Sequence, residues 1–242
     1  MANLRDGELT PEVVINGEYA PAVRSHAGQR PISVFVDSSG VSSAWGEIQV
    51  DAQPLSDEIT NFIVSTLDRV EAEFNVDFLL VNDQEADIVF MMNNGDPAGG
   101  NYAGHANYRW TYSDEVTGYQ QERVKTWKWK KGKKKRVYRW VEAPIVESIA
   151  DIDADISLNS DFMKTSEADG FWKQVVVHEL GHAIGLEHTF DPDDGDVLGG
   201  EDDTSRWGSI MAYGPAAWEL DEATYPDFFT PIDRQALAQI FT

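Results

Sequence analysis

Residues 32–36, Ile-Ser-Val-Phe-Val, alternate between apolar and polar positions and predict a β-strand. From residue 56 the period changes. Ile59, Phe62, Ile63, Val70 and Phe74 recur at helical spacing, while Ser56, Asp57 and Glu58 suit a helix start, so an amphipathic helix is predicted over 56–75. Short apolar runs at 78–81 and 87–91, with turn residues between them, predict two further strands. Residues 93–107 are rich in Gly and Ala around Pro97 and predict a long loop. The strictest alternation lies in 149–159. There Ile152, Ala154, Ile156 and Leu158 face one way and Asp151, Asp153, Asp155 and Ser157 the other, which predicts a half-buried strand near a sheet edge. A helix follows over 171–186, and Thr230-Pro231-Ile232-Asp233 opens a last one. Residues 1–30, interrupted by Pro11, Gly17, Pro21 and Gly28, predict an irregular N-terminal arm. No internal repeat is present.

One stretch departs from the rest in charge as well as pattern. Residues 123–139 hold ten of the 19 Lys and Arg and no acid, with Val124, Trp127, Trp129, Val137, Tyr138, Trp140 and Val141 interleaved around Lys131-Gly132 over 122–141. This predicts a twisted, protruding basic hairpin. The whole chain carries −23, so the remainder, with 9 bases against 42 acids, carries −33. Such a surface repels nucleic acid and anionic lipid everywhere except at the hairpin. The hairpin itself reads as a charged ribbon with an apolar seam, as a nucleic-acid binder through phosphates and stacked tryptophans, or as a dock for an acidic partner.

Composition narrows the class further. With 242 residues, 42% hydrophobic and 11% aromatic, the chain can bury a sizeable core, which excludes a disordered protein. No run of 18 apolar residues occurs, so no spanning helix and no membrane partner are expected, and residues 1–30 lack the apolar segment of a classical signal peptide. The absence of cysteine excludes disulfide frameworks, thiolate metal sites and a thiol nucleophile.

The chemistry gathers in one window, His178-Glu179-Leu180-Gly181-His182-Ala183-Ile184-Gly185-Leu186-Glu187-His188. His178 and His182 are one helical turn apart and project from one face. A third residue six positions on cannot reach the same point from a continuing helix. Gly185 resolves this, because glycine takes positive φ and lets the chain turn back with His188. Three neutral imidazoles with an open fourth position suit a catalytic Zn²⁺. Glu179 follows the first ligand and is placed to act as general base on an attacking water. Glu187, equally near in sequence, reads as solvated, and His105 reads as a loop residue, with a second zinc ligand as the sharper alternative.

This motif resembles that of the metzincin zinc endopeptidases. Ser209-Ile210-Met211-Ala212-Tyr213 is similar to their methionine turn, closest to the Ser-x-Met-x-Tyr form of the serralysin and astacin branches, though Thr189 fits neither branch and no C-terminal calcium-repeat domain follows. The resemblance implies an α+β zincin fold: a twisted, mixed, mostly parallel sheet packed on two long helices, with a C-terminal helix, over residues 31–242. It implies Met211 beneath the metal, and Tyr213 as a further zinc ligand or catalytic donor. It also implies Asp155, Ser157, Leu158 and Asn159 on an edge strand that binds extended protein or peptide substrate, and a secreted or extracellular address. Under it, residues 1–30 read either as an arm or as a pro-segment over the active site, with Asp6-Gly7 offering a carboxylate to the metal. Asp191, Asp193, Asp194 and Asp196, with Glu201-Asp202-Asp203 nearby, are dense hard oxygens suited to Ca²⁺ or else a solvated acidic loop, and Asp151, Asp153 and Asp155 form a lesser cluster. The reading from another class is a binding protein that uses the basic hairpin, its zinc purely structural.

Overall fold

In the computed structural model, which describes residues 9–42, 44–95, 97–99, 102–130, 133–165, 170–190, 208–212 and 226–242, the elements follow the hydrophobic pattern closely. Strand β1 (Ile32–Val36) pairs in parallel with β5 (Phe78–Leu80) on one side and β6 (Ile88–Asn93) on the other. Past the end of β1, β4 (Ala52–Gln53) pairs antiparallel with the end of β6. On its far side β6 pairs in parallel with β8 (Lys133–Asn159), in register from Ile88↔Ala154 to Asn93↔Asn159. Strand β7 (Gly104–Lys130) lies next to β8, giving the order β5-β1-β6-β8-β7. Strands β2 (Ala44–Trp45) and β3 (Ile48–Gln49) make a separate small hairpin. The mixed, mostly parallel sheet with its helices agrees with the expected fold class.

Helix α2 (Asp57–Glu73) starts where the capping residues stand, with Ser56 Oγ accepting the Ile59 N–H at 3.2 Å. It buries Ile59, Ile63, Leu67 and Val70. Phe62 meets Trp172 edge-on at 5.1 Å, joining α2 to α4 (Phe171–Ala183). Every residue of β6 is buried, as a strand flanked and covered on both faces must be. Helix α5 (Pro231–Ile240) is capped as predicted: Asp233 Oδ2 accepts Thr230 N–H at 2.9 Å and Thr230 Oγ1–H at 2.7 Å.

Three expectations need correction. Residues 1–30 are not irregular throughout, since a 3₁₀ turn spans Pro11–Val14 and α1 spans Ala20–Ala27. Pro21 occupies the first turn of α1 and Gly28 its C-cap, so residues read as breakers delimit a helix instead of preventing one. Ala20, Ala22, Val23 and His26 are buried by it. The loop expected over 93–107 is shorter, because β7 begins at Gly104; α3 (Ser160–Thr165) was not foreseen. The strand containing Asp155–Asn159 is not the edge. It lies between β6 and β7, and β7 takes the edge among the described residues. The outward residues of β8 are partly covered by the β2–β3 segment, where Trp45 Nε1–H donates to Asp155 O at 2.9 Å and Gly46 N–H to its carboxylate at 2.7 Å.

The chain divides into two units, Met1–Thr111 with Asp151–Thr242, and Tyr112–Ala150. The second is a two-stranded ribbon formed by the outer parts of β7 and β8, which realises the predicted hairpin and extends it beyond 122–141 at both ends.

Candidate metal centre

Helix α4 is buried along most of its length and presents His178 and His182 on one face. The helix stops at Ala183, and Gly185 takes φ +100°, the positive value the motif required. The turn is held from two sides. Leu186 N–H returns to Gly181 O at 2.8 Å, while Asn16 N–H donates to Gly185 O at 2.9 Å and Glu187 N–H to Val14 O at 3.0 Å. Tyr19 adds its hydroxyl to Ala183 O at 3.1 Å. His188 is thereby brought back to the helix: its Nε2 lies 3.1 Å from His178 Nε2 and 3.0 Å from His182 Nε2.

The outer nitrogens fix the tautomers. His178 Nδ1 faces Ile210 O at 2.8 Å and His182 Nδ1 faces Leu186 O at 3.0 Å. Carbonyls only accept, so both Nδ1 atoms carry the proton and both Nε2 lone pairs point inward. Burial pulls the pKa of His178 down to about 4 and of His182 down to about 3, and holds His188 well below the ordinary value. Neutral rings with converging lone pairs are the state in which imidazole binds a metal. Among the described residues, these three form the one His/Asp/Glu group close enough to hold an ion.

Met211 is fully buried against the helix that carries the first two histidines. Its Sδ lies 2.7 Å from where a side chain on Gly181 would begin, so the thioether fills the notch that glycine leaves in α4. Asp233, at the start of α5, clamps this turn: it accepts Ser209 Oγ–H, and Ile210 N–H at 2.9 Å. Burial raises its pKa in spite of these donors. Because Ile210 O orients His178, Asp233 acts on the site from one step away, a role the capping motif alone did not reveal.

Glu179 is buried beside the edge strand. A Cβ at Gly104 would stand 2.7 Å from its Cγ and 2.8 Å from its Oε1.

Residues 47–195 match the matrixin family. The chain belongs to that family. As a matrixin it carries a metzincin-type metallopeptidase domain, whose expected substrates are proteins or peptides. No curated protein matches the chain.

The remaining predicted residues of this matrixin fall in different places. Ser157, Leu158 and Asn159 are buried within the sheet and Asp155 is half-buried, its pKa raised by burial. Glu187 is buried, not solvated, because the N-terminal segment bridges to the turn beside it through Ile15↔Leu186. His105 is the second residue of the edge strand and not part of a loop, packed against Trp45 at 4.8 Å and Tyr102 at 5.8 Å. Tyr213, the acidic residues Asp191, Asp193, Asp194 and Asp196, and Glu201-Asp202-Asp203 lie outside the described residues, as does Asp6. No helix among those described is long and apolar enough to cross a membrane.

Proposed function

We propose that this matrixin is an endopeptidase in which His178, His182 and His188 hold zinc and Glu179 is the general base. The observation that carries the reading is the convergence of three Nε2 atoms, two of them with Nδ1 committed to carbonyls at 2.8 and 3.0 Å. Two inward lone pairs with a third ring nitrogen within 3.1 Å of both make a donor set that a cation completes. Zinc bound there supplies a Lewis acid for the scissile carbonyl and acidifies a water.

The chain's own residues do the rest. Glu179, on the residue after His178 and walled in by Val175 and Gly104, takes a proton from the attacking water and delivers it to the leaving amine. The open edge of β7 from Gly104 offers main-chain donors and acceptors to an extended substrate, which that strand can add in register. Gly104 is needed there because any side chain would displace Glu179. Asn159 supports the edge from behind: its N–H donates to Ala103 O at 2.9 Å and its Nδ2 to Tyr102 O at 3.1 Å. Asp155, Ser157 and Leu158 act in the same supporting way on this proposal. Met211 keeps the floor apolar, and Tyr213 is proposed as a movable fourth ligand or oxyanion donor, the serralysin- or astacin-type feature. Asp191–Asp196 is proposed as a calcium loop, and the address as extracellular. Residues 10–28 are proposed as part of the catalytic domain, since Val14, Asn16 and Tyr19 hold the turn that delivers His188.

The test is metal content and casein hydrolysis with and without chelator, beside Glu179→Gln. Stoichiometric zinc is expected in both proteins, with activity at least about 10²-fold lower in the variant. Full proteolysis by the variant refutes the base, and metal-free protein that still digests casein refutes the centre.

A further inference from the structure

The ribbon Tyr112–Ala150 carries a surface that peptide hydrolysis at the triad does not use. Its register is fixed at two points. Arg136 stands over the Trp127 ring at 5.8 Å, and a side chain at Gly118 would meet Ile145 at 3.6 Å. Alternation from these pairs places Arg123, Lys125 and Trp127 of β7 on one face with Arg136, Tyr138 and Trp140 of β8. Further contacts agree with that face: Arg123 lies over Tyr138 at 4.4 Å and Lys125 over Trp127 at 5.7 Å. The rings are nonetheless open to solvent, Trp127 48%, Tyr138 49% and Trp140 65% exposed. The five acids of the ribbon lie away from its tip, Asp114, Glu122 and Glu147 on the opposite face and Glu115 and Glu142 on this one, beyond Arg123 and Trp140. Among the described residues neither strand has a second partner over this unit, so both edges are open.

We propose that this face is an exosite for acidic, extended polypeptide segments of the protein substrate. This rests on the peptidase reading for the word substrate, but not for the binding. Two features select a polypeptide, and the charge selects an acidic one. Open strand edges present main-chain donors and acceptors at the spacing of a peptide backbone, which a nucleic acid cannot match. An added strand repeats each face every second residue, about 7 Å, so acids at alternate positions all fall on the face of the cations, beside the aromatic rings, while the residues between them turn to the other face. The chain outside 123–139 carries −33, so an acidic segment is turned away everywhere except here. Long two-stranded ribbons are marginal alone in water, and an added strand stabilises them.

The experiment uses the full chain and a fluorescein-labelled peptide of alternating Glu and Val, read by anisotropy. Arg123→Glu/Lys125→Glu/Arg136→Glu is expected to weaken binding at least tenfold, and raising salt from about 0.05 to 0.5 M to weaken the wild type similarly. In hydrolysis, the ratio of kcat/KM for an acidic unfolded protein to that for a short neutral peptide should fall at least tenfold in the variant. Arg123→Gln/Arg136→Gln, with a smaller loss in the same direction, serves if the triple reversal does not fold. Binding unchanged in both variants overturns the proposal. So does displacement of the peptide by oligothymidylate at lower concentration than by the unlabelled peptide, which would mark a nucleic-acid surface. If no substrate is cleaved, the peptidase reading fails while the anisotropy still decides the exosite.

Discussion

Replacing Gly185 by alanine tests the turn on which the third ligand depends. Two separate terms follow from its surroundings. At φ +100° the backbone sits where an L side chain is strained, which costs about 1–3 kcal/mol. A Cβ there would also stand 3.0 Å from Ala20 Cα, 3.1 Å from Ala20 Cβ and 3.3 Å from Ile240 Cδ1. The obstacle is backbone of α1 and the end of α5, elements tied together by Arg24 Nε donating to Ile240 O at 2.8 Å, so the crowding adds about 1–3 kcal/mol. Gly95 separates the two terms: its φ is +80°, and nothing lies within 4 Å of a Cβ built on it. Gly95→Ala should therefore show the backbone term alone, and Gly185→Ala both, about 2–6 kcal/mol in total. Urea unfolding in the presence of chelator measures this on the metal-free protein. Relief of the strain moves Leu186 and His188, so zinc affinity by competition with a chromophoric chelator should fall at least about tenfold for Gly185→Ala and stay constant for Gly95→Ala. Equal effects of the two substitutions, or wild-type zinc affinity in Gly185→Ala, would show that the turn does not set the position of His188.

Two other changes probe the base and the scaffold separately. Gly104→Ala pushes against Glu179, so kcat should fall at least about tenfold while bound zinc, measured by atomic absorption, stays stoichiometric. Asp37 is buried; burial alone would raise its pKa, but N–H groups of Ser42 at 2.7 Å and Val41 at 3.0 Å, with Ser39, outweigh that and hold it below the ordinary value. A depressed carboxylate stabilises above its unfolded pKa, about 3.9, and that contribution disappears as pH falls through the lower folded value. Asp37→Asn should thus cost about 1–3 kcal/mol at neutral pH, a gap that closes below pH about 4 in paired urea titrations; a gap unchanged by acid would contradict the assignment.

Local pattern made much of this legible. The stripe of α2, the alternation in β8 and the cap of α5 each depend on neighbours within a few residues, and each appears where the periodicity places it. The triad was legible for the same reason: helix pitch and one glycine fix the relation of His178, His182 and His188. What the sequence did not disclose depends on strand order. Asp155–Asn159 alternates like an edge strand, yet β7 covers it, because the segment that returns beside it begins in a stretch rich in Gly and Ala that carries almost no β signal. Glu187 shows the same limit. Its solvation depended on residues about 170 positions earlier, and no local count could place Val14 over it.

That long-range contact also explains why a turn with a conformationally costly glycine can serve as a rigid ligand arm. Gly185 gives freedom of φ, but freedom alone would leave His188 mobile, and a metal ligand that must be ordered on binding weakens affinity. The N-terminal segment removes the freedom after the chain has used it. Asn16 donates its N–H to Gly185 O at 2.9 Å; its Oδ1 accepts Tyr19 N–H at 2.7 Å, and its Nδ2 donates to Tyr108 Oη at 3.0 Å. Tyr108 in turn stacks on Tyr19 at 4.6 Å and lies over His182 at 6.4 Å. One asparagine thus links the turn, the start of α1 and the edge strand. Cleaving the segment away would take these partners from the Gly185 carbonyl and the Glu187 amide, at about 0.5–1.5 kcal/mol for each bond, and would return the turn its freedom. The bonding therefore favours a permanent brace over a detachable cover.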